Sequence, residues 1–274
     1  MATIAIPVVP DVQVVKGSRL KWAFSDTATM TVRNLISYTR IPEALFFSTL
    51  QPIMFVLLFR YIFGGAIPIP GGVPYVDYMM PGIFVQSVMF GAVSTSVGLA
   101  EDLHKGLIER FRALPMAQTA VLAGRTTADG LRNVVVICIM TGVAYLVGFR
   151  AGAGPIDYIL GALILLGFAY AISWGFAAIG LAAPTAEAAQ VMVFPILMPL
   201  TFASTAFVPI TALPHWLQGF VRHQPVSVVI NGARSLMVGG FYHSTNAEID
   251  AVLWILGILV VMVPLGAWRY RKIA

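Results

Sequence analysis

Hydrophobic residues run almost unbroken through six stretches of this chain, at about 44–63, 79–100, 131–149, 156–183, 188–208 and 251–268. Each is close to the ~20 apolar residues that a helix needs to cross a bilayer. Hydrocarbon offers no hydrogen-bond partner, so each run must satisfy its own backbone as a helix. Barrel strands would alternate apolar and polar residues, and these runs do not. Pro155 and Pro184 bracket the fourth run, and Pro195 and Pro199 lie inside the fifth, where they favour a kink. The pattern predicts an all-α polytopic membrane protein with six transmembrane helices.

Two segments outside these runs have helical character of another kind. In 25–41, Ser25 or Asp26 suits an N-cap. Met30, Leu35 or Ile36, and Ile41 fall toward one side, with Arg33 and Arg40 on another. This predicts a short interfacial helix on the cytoplasmic membrane surface, with Trp22 and Phe24 at the interface. In 101–115, Leu103, Leu107, Phe111 and Leu114 form an apolar stripe. Glu101 and Asp102 stand at its start and Arg110 and Arg112 toward its end, which suits the helix dipole, and Pro115 stops it. This segment is too charged to cross and reads as one amphipathic cytoplasmic helix. A third segment, 209–250, carries Leu213, Trp216, Leu217, Phe220 and Val221 at helical spacing. An apolar piece at 226–230 is too short to span, which predicts a re-entrant or interfacial element.

Charge sets the orientation. Twelve Lys and Arg residues (16, 19, 21, 33, 40, 105, 110, 112, 125, 269, 271 and 272) fall on one side, against Arg150, Arg222 and Arg234 on the other. The positive-inside rule then puts both termini in the cytoplasm. Composition agrees. Of 274 residues, 58% are hydrophobic and 11% charged, against roughly 25% charged in soluble domains. The mean hydropathy is +0.85. The net charge of +5 therefore reads as a topology signal rather than a nucleic-acid footprint. The first residues lack the basic start and apolar run of a signal peptide, and the length leaves no room for a separate soluble domain.

Chemistry of its own is scarce. No GxxxxGK[ST] phosphate loop, HExxH or GxSxG occurs, so no catalytic residue is expected. His215, His223 and His243 lie in the outer segment and read as interfacial residues rather than a metal site. The single cysteine, Cys138, sits in an apolar run and is expected to be buried. Acidic residues are expected only at span ends, Asp129 and Glu187 among them. An ion-coupled carrier would keep such groups at mid-membrane, so the driving energy must arrive from outside the spans.

The loop EDLHKGLIERFRALPMAQTAVLAGR at 101–125 resembles the first cytoplasmic loop of type-2 ABC exporter permeases, especially the daunorubicin-resistance-type drug-efflux branch. The segment FVPITALPHWLQGFVRHQPVSVVINGARSLMVGG at 207–240 resembles the element before the last span of that family. It matches in Phe207-Val208-Pro209, Leu213-Pro214, Trp216-Leu217, Phe220, Gln224-Pro225-Val226 and Arg234. The resemblance covers about 25–270. It implies a cytoplasmic tail, 1–24, and one transmembrane domain, 25–274, of a permease in the bacterial cytoplasmic membrane. It also implies two copies of an ATP-binding subunit, which bind ATP and Mg where this chain binds no cofactor, and a second permease, a copy of this chain or a paralogue. Glu101, Leu103, Leu107, Glu109, Arg110, Phe111, Arg112 and Leu114 would form the coupling helix, assisted by the interfacial helix with Arg33 and Arg40. The stripe's apolar residues have the alternative of packing on the chain's own span ends. By the same analogy, Phe84, Gln86, Met89 and Phe90 on the second span and Met192, Phe194, Thr201, Phe202 and Thr205 on the fifth line a path for amphipathic drugs or lipids. Pro209, Pro214, Trp216, Phe220 and Pro225 would shape the outer re-entrant segment. Export of a polysaccharide or glycolipid, and a membrane scaffold without transport, remain open as other readings.

Overall fold

The computed structural model describes residues 19–40, 42–64, 66–112 and 119–273, and among them every regular element is a helix. Helix α1 is Arg19–Thr39 and α2 is Pro42–Leu58, continued by a π-turn at Phe59–Phe63. Next come α3, Tyr75–His104, α4, Leu107–Arg112, α5, Thr119–Leu146, and α6, Pro155–Gly180. Then follow α7, Ala186–Phe202, α8, His215–His223, α9, Pro225–Val238, and α10, Thr245–Ile273. Four of these, α3, α5, α6 and α10, are long and apolar enough to cross a membrane, while α7, α9 and 49–63 are shorter apolar helices.

α3 is the hub and packs on α6, α7, α5, α9 and α2. Its most apolar window is 78% buried inside the protein, whereas that of α10 is 17% buried. Both are hydrophobic, so burial here follows position rather than hydropathy. The core around α3 contains Ile83, Phe84, Val88 and Met89, with Leu165 and Phe168 of α6 and Val229 and Ile230 of α9. α10 instead turns Val252, Leu253, Leu256, Val260 and Val261 outward, as a lipid-facing helix does.

Several sequence expectations change. α5 begins at Thr119, twelve residues before the expected start at 131. Hydropathy places the boundary where charge ends, but the helix continues through Arg125, Asp129 and Arg132 because their charges find partners inside the fold. Cys138 is exposed rather than buried, on the outer face of α5 with Leu131, Val134, Val135 and Ile139. Lipid is as apolar as a helix interface, so hydropathy does not separate the two faces.

The expected single helix over 101–114 is broken. Glu101, Asp102, Leu103 and His104 are the last turn of α3. Gly106, at φ +65°, turns the chain, and α4 begins at Leu107. A positive φ costs glycine little and other residues more. Leu114 and Pro115 lie outside the described residues, as does Ile41.

α1 is longer than expected, and Ser25 and Asp26 lie inside it rather than capping it. The hydroxyls of Thr27, Thr29 and Thr31 donate to the carbonyls of Ala23, Ser25 and Thr27, which lets polar residues sit in mid-helix. The buried face also differs. Met30, Thr31 and Asn34 are buried, while Ile36 is 47% exposed. α1 packs along α5, with Met30 against Gly124. This mostly polar buried stripe has no hydropathy signature.

Candidate functional site: a polar cavity between α1, α3, α5 and α7

A cavity of about 960 Å³ opens between these four helices. Its polar end is built on a carboxylate that sequence reading placed at a span end. Asp129 lies ten residues into α5, about 15 Å along the axis, and is fully buried. It accepts hydrogen bonds from the Tyr38 hydroxyl of α1 and the Thr95 hydroxyl of α3. Ser94 adds a third donor at 3.4 Å, and the Arg132 guanidinium lies 4.0 Å away. Burial above all, and then the Asp129 charge, push the Tyr38 phenol up to about 12, so it stays a donor at neutral pH.

Two arginines of α5 reach back onto α3. Arg132 donates to the Gly91 carbonyl at 2.6 Å and to the Ser94 hydroxyl at 2.8 Å. Arg125 donates to the Ser94 carbonyl at 3.1 Å and lies against Gly98, where any Cβ would collide with its guanidinium. Both stack loosely on the Tyr38 ring, at 5.8 Å for Arg125 and 5.5 Å for Arg132. Tyr38, Ser94, Thr95, Asp129 and Arg132 were not among the expected site residues. The spacing Arg125, Asp129, Arg132 on one face of an apolar helix was the available signal.

At the mouth beside α4, Arg33 of α1 pairs with Asp102 at 3.3 Å and lies 4.9 Å from the Phe111 ring of α4. Lys105 pairs with Glu101 at 3.0 Å. The two Arg33 contacts fasten α1 to the α3–α4 elbow. Leu103 and Phe111 pack against a small core of Leu99, Ile108, Val121, Leu122, Trp174 and Tyr270. Leu103 and Phe111 are thus partly buried against the chain's own helices, the alternative that the sequence left open for this stripe, and Leu107 lines the cavity. Glu101, His104, Lys105 and Arg110 are exposed on the elbow. Glu109 and Arg112 lie on α4. Arg40 is exposed on the cavity rim.

The residues expected along a substrate path divide into three groups. Phe90 and Phe194 face each other edge to face at 6.3 Å and line the cavity. Phe84, Gln86, Met89, Thr201 and Thr205 are buried in the protein's own core. There Thr201 contacts the Met89 sulfur at 3.8 Å, and Thr205 donates to Asn231 at 3.1 Å. Met192 and Phe202 are exposed on α7 and do not line the cavity, with Phe202 stacked 5.7 Å from Phe207.

The opposite end of the bundle has a different arrangement. Pro209 precedes a 3-10 turn at Ile210–Ala212, Pro214 precedes α8, and Pro225 opens α9. α8 exposes Trp216 and Phe220 and buries Val221. From α9, Arg234 is 2% exposed and donates to the Tyr78 carbonyl at 3.0 Å, Asn231 at 2.8 Å and the Thr205 carbonyl at 2.7 Å. Its guanidinium lies 3.8 Å from the Tyr78 ring. Gln224 donates to the Leu200 and Ala203 carbonyls at the end of α7. α9 thereby locks the end of α7 to the start of α3.

A bundle of long apolar helices around a buried polar cavity, with a charged elbow at one end, defines a multi-pass membrane transport permease. The sequence profile of the ABC-2 type transporter matches residues 25–238, and the chain belongs to that family. It is 35% identical over 253 residues to the daunorubicin resistance ABC transporter permease protein DrrB1 of Streptomyces coeruleorubidus, covering 91% of this chain and 87% of that one. It is 28% identical over 250 residues to a Mycobacterium tuberculosis protein named "Probable doxorubicin resistance ABC transporter permease protein DrrC", covering 90% and 89%.

Proposed function

We propose that this chain is the membrane-spanning subunit of an ATP-driven exporter of lipophilic drugs or lipids, energised by separate ATP-binding subunits. The observation that carries the reading is the cavity at α1, α3, α5 and α7. It pairs a polar, basic end with an apolar wall of Phe90, Phe194 and Met198, as an amphipathic cargo requires. The charged α3–α4 elbow borders its mouth. In this account two permeases pair, two ATPases bind ATP and Mg beneath them, and both termini face the cytoplasm of a bacterial cell. The six spans are α2 with its π-turn, α3, α5, α6, α7 and α10, and α8 with α9 forms a re-entrant outer element.

The inward packing of Phe111 and Leu103 changes where an ATPase would grip. Glu101, Lys105 and Arg110 are the exposed groups that a partner surface meets, while the apolar stripe transmits their movement to Leu99, Trp174 and Tyr270. Reconstitution of the chain with its ATPase in proteoliposomes tests this. Arg110→Glu should lower ATP-dependent transport of a lipophilic fluorophore about tenfold, with the thermal midpoint unchanged. Full transport by that variant removes Arg110 from the docking surface.

A further inference from the structure

We infer that the cavity between α1, α3, α5 and α7 binds the anionic head group of an amphiphile, a phosphate, sulfate or carboxylate, in preference to a cationic one. Calling that amphiphile cargo rests on the permease reading above, whereas the binding site does not.

The first argument is charge. Five cationic side chains line the cavity, Arg33, Arg40, Lys105, Arg125 and Arg132, against the two carboxylates Glu101 and Asp102. Those carboxylates are committed to Lys105 and Arg33. Asp129, behind the wall, is shared between Arg132 and three hydroxyls. Among the described residues, no carboxylate forms a direct ion pair with Arg125. The cavity therefore keeps an excess of positive charge between low-dielectric walls, where such a field is strong.

The second argument is unspent hydrogen-bonding capacity. The Nε atoms of Arg125 and Arg132, and both carboxamide atoms of Asn133, are buried with no protein partner. Asn133 is 1% exposed, Arg132 is 9% exposed, and both line the cavity with Arg125. Two guanidinium N–H donors and an amide NH₂, on three residues that line the same cavity, match an oxyanion, whose several lone pairs accept charge-assisted bonds. Leaving such groups unmet in a native fold is unfavourable, and the exceptions concentrate at working sites.

The third argument separates an amphiphile from a free anion. Beyond the arginines the lining becomes Phe90, Val93, Phe194 and Met198, and Met198 is 36% exposed on α7. A head group among the arginines places its chain along this wall. A small free anion has no use for that apolar half, and a cationic amphiphile meets like charge at the polar end.

The test is calorimetric titration of the purified full-length chain in maltoside micelles. The probes are dihexanoyl phosphatidylglycerol, dihexanoyl phosphatidylcholine, inorganic phosphate and dodecyltrimethylammonium. The phosphatidylglycerol should bind at least tenfold tighter than each of the others. Arg125→Gln should abolish that preference, Arg125→Lys should keep part of it, and Arg222→Gln at the outer face should leave it intact. Should Arg125→Gln prove unstable, Arg40→Gln on the rim should still weaken phosphatidylglycerol binding two- to threefold. Equal affinity for the two lipids, or tighter binding of the ammonium, overturns the proposal. So does an unchanged preference in the Arg125→Gln and Arg40→Gln variants. Phosphate binding as tightly as the lipid assigns the cavity to a free anion and overturns the amphiphile. No ATPase is present, so loss of this preference and loss of ATP-driven transport are read separately.

Discussion

The molecule buries arginines at both ends, and it treats them differently. Arg234, on α9, is surrounded by acceptors: two carbonyls, one carboxamide and a tyrosine face. At the other end Arg132 lies beside one buried carboxylate, Arg125 and Arg132 lean on a serine and a glycine carbonyl, and the Nε groups of both have no protein partner. A saturated cation acts as a rivet and an unsaturated one acts as a receptor. The same residue type thus holds α3, α7 and α9 together at one end and prepares a binding surface at the other.

Substitutions can break this contrast. The largest stability loss should come from Arg234→Ala. It strands the Tyr78 and Thr205 carbonyls and opens a hole beneath two rings, costing about 3–5 kcal/mol, read as a lower thermal midpoint in detergent. Ligand affinity per folded molecule should not change. Asp129→Asn comes next, at about 3 kcal/mol, because it removes the charge that balances Arg132. It also makes the cavity more positive, so affinity for the anionic probe should rise while stability falls. That opposed pair of signs is not expected of a purely structural site. Tyr38→Phe removes one hydrogen bond to a buried carboxylate and should cost about 1–3 kcal/mol. Arg110→Glu, on the exposed elbow, should stay within about 0.5 kcal/mol of the parent protein while its transport collapses.

The sequence revealed long apolar runs well, because a membrane helix is written in uninterrupted hydropathy. It also revealed the outer segment, where Leu213, Trp216 and Val221 keep helical spacing and Pro214 and Pro225 mark the starts of α8 and α9. The cavity between α1, α3, α5 and α7 was nearly invisible for two reasons. Its carboxylate and arginines lie on a helix whose apolar run begins only at about 131, so Asp129 and Arg132 read as boundary residues. Its other wall is α1, whose buried face is Thr31, Asn34 and Tyr38, polar residues that look solvated until Asp129 and Gly124 are seen opposite. The division of the expected path, with Phe90 and Phe194 in the cavity and Phe84 and Met89 in the core, depends on helix rotation. A helix apolar all round gives no clue to that rotation.

The most direct test of the account is transport by proteoliposomes containing this permease, with and without an ATP-binding subunit, using a lipophilic fluorescent cargo. Accumulation is predicted only when the ATPase, ATP and Mg are all supplied, and it should fall steeply in Arg125→Gln. Vectorial movement of the cargo by this chain alone would contradict the account.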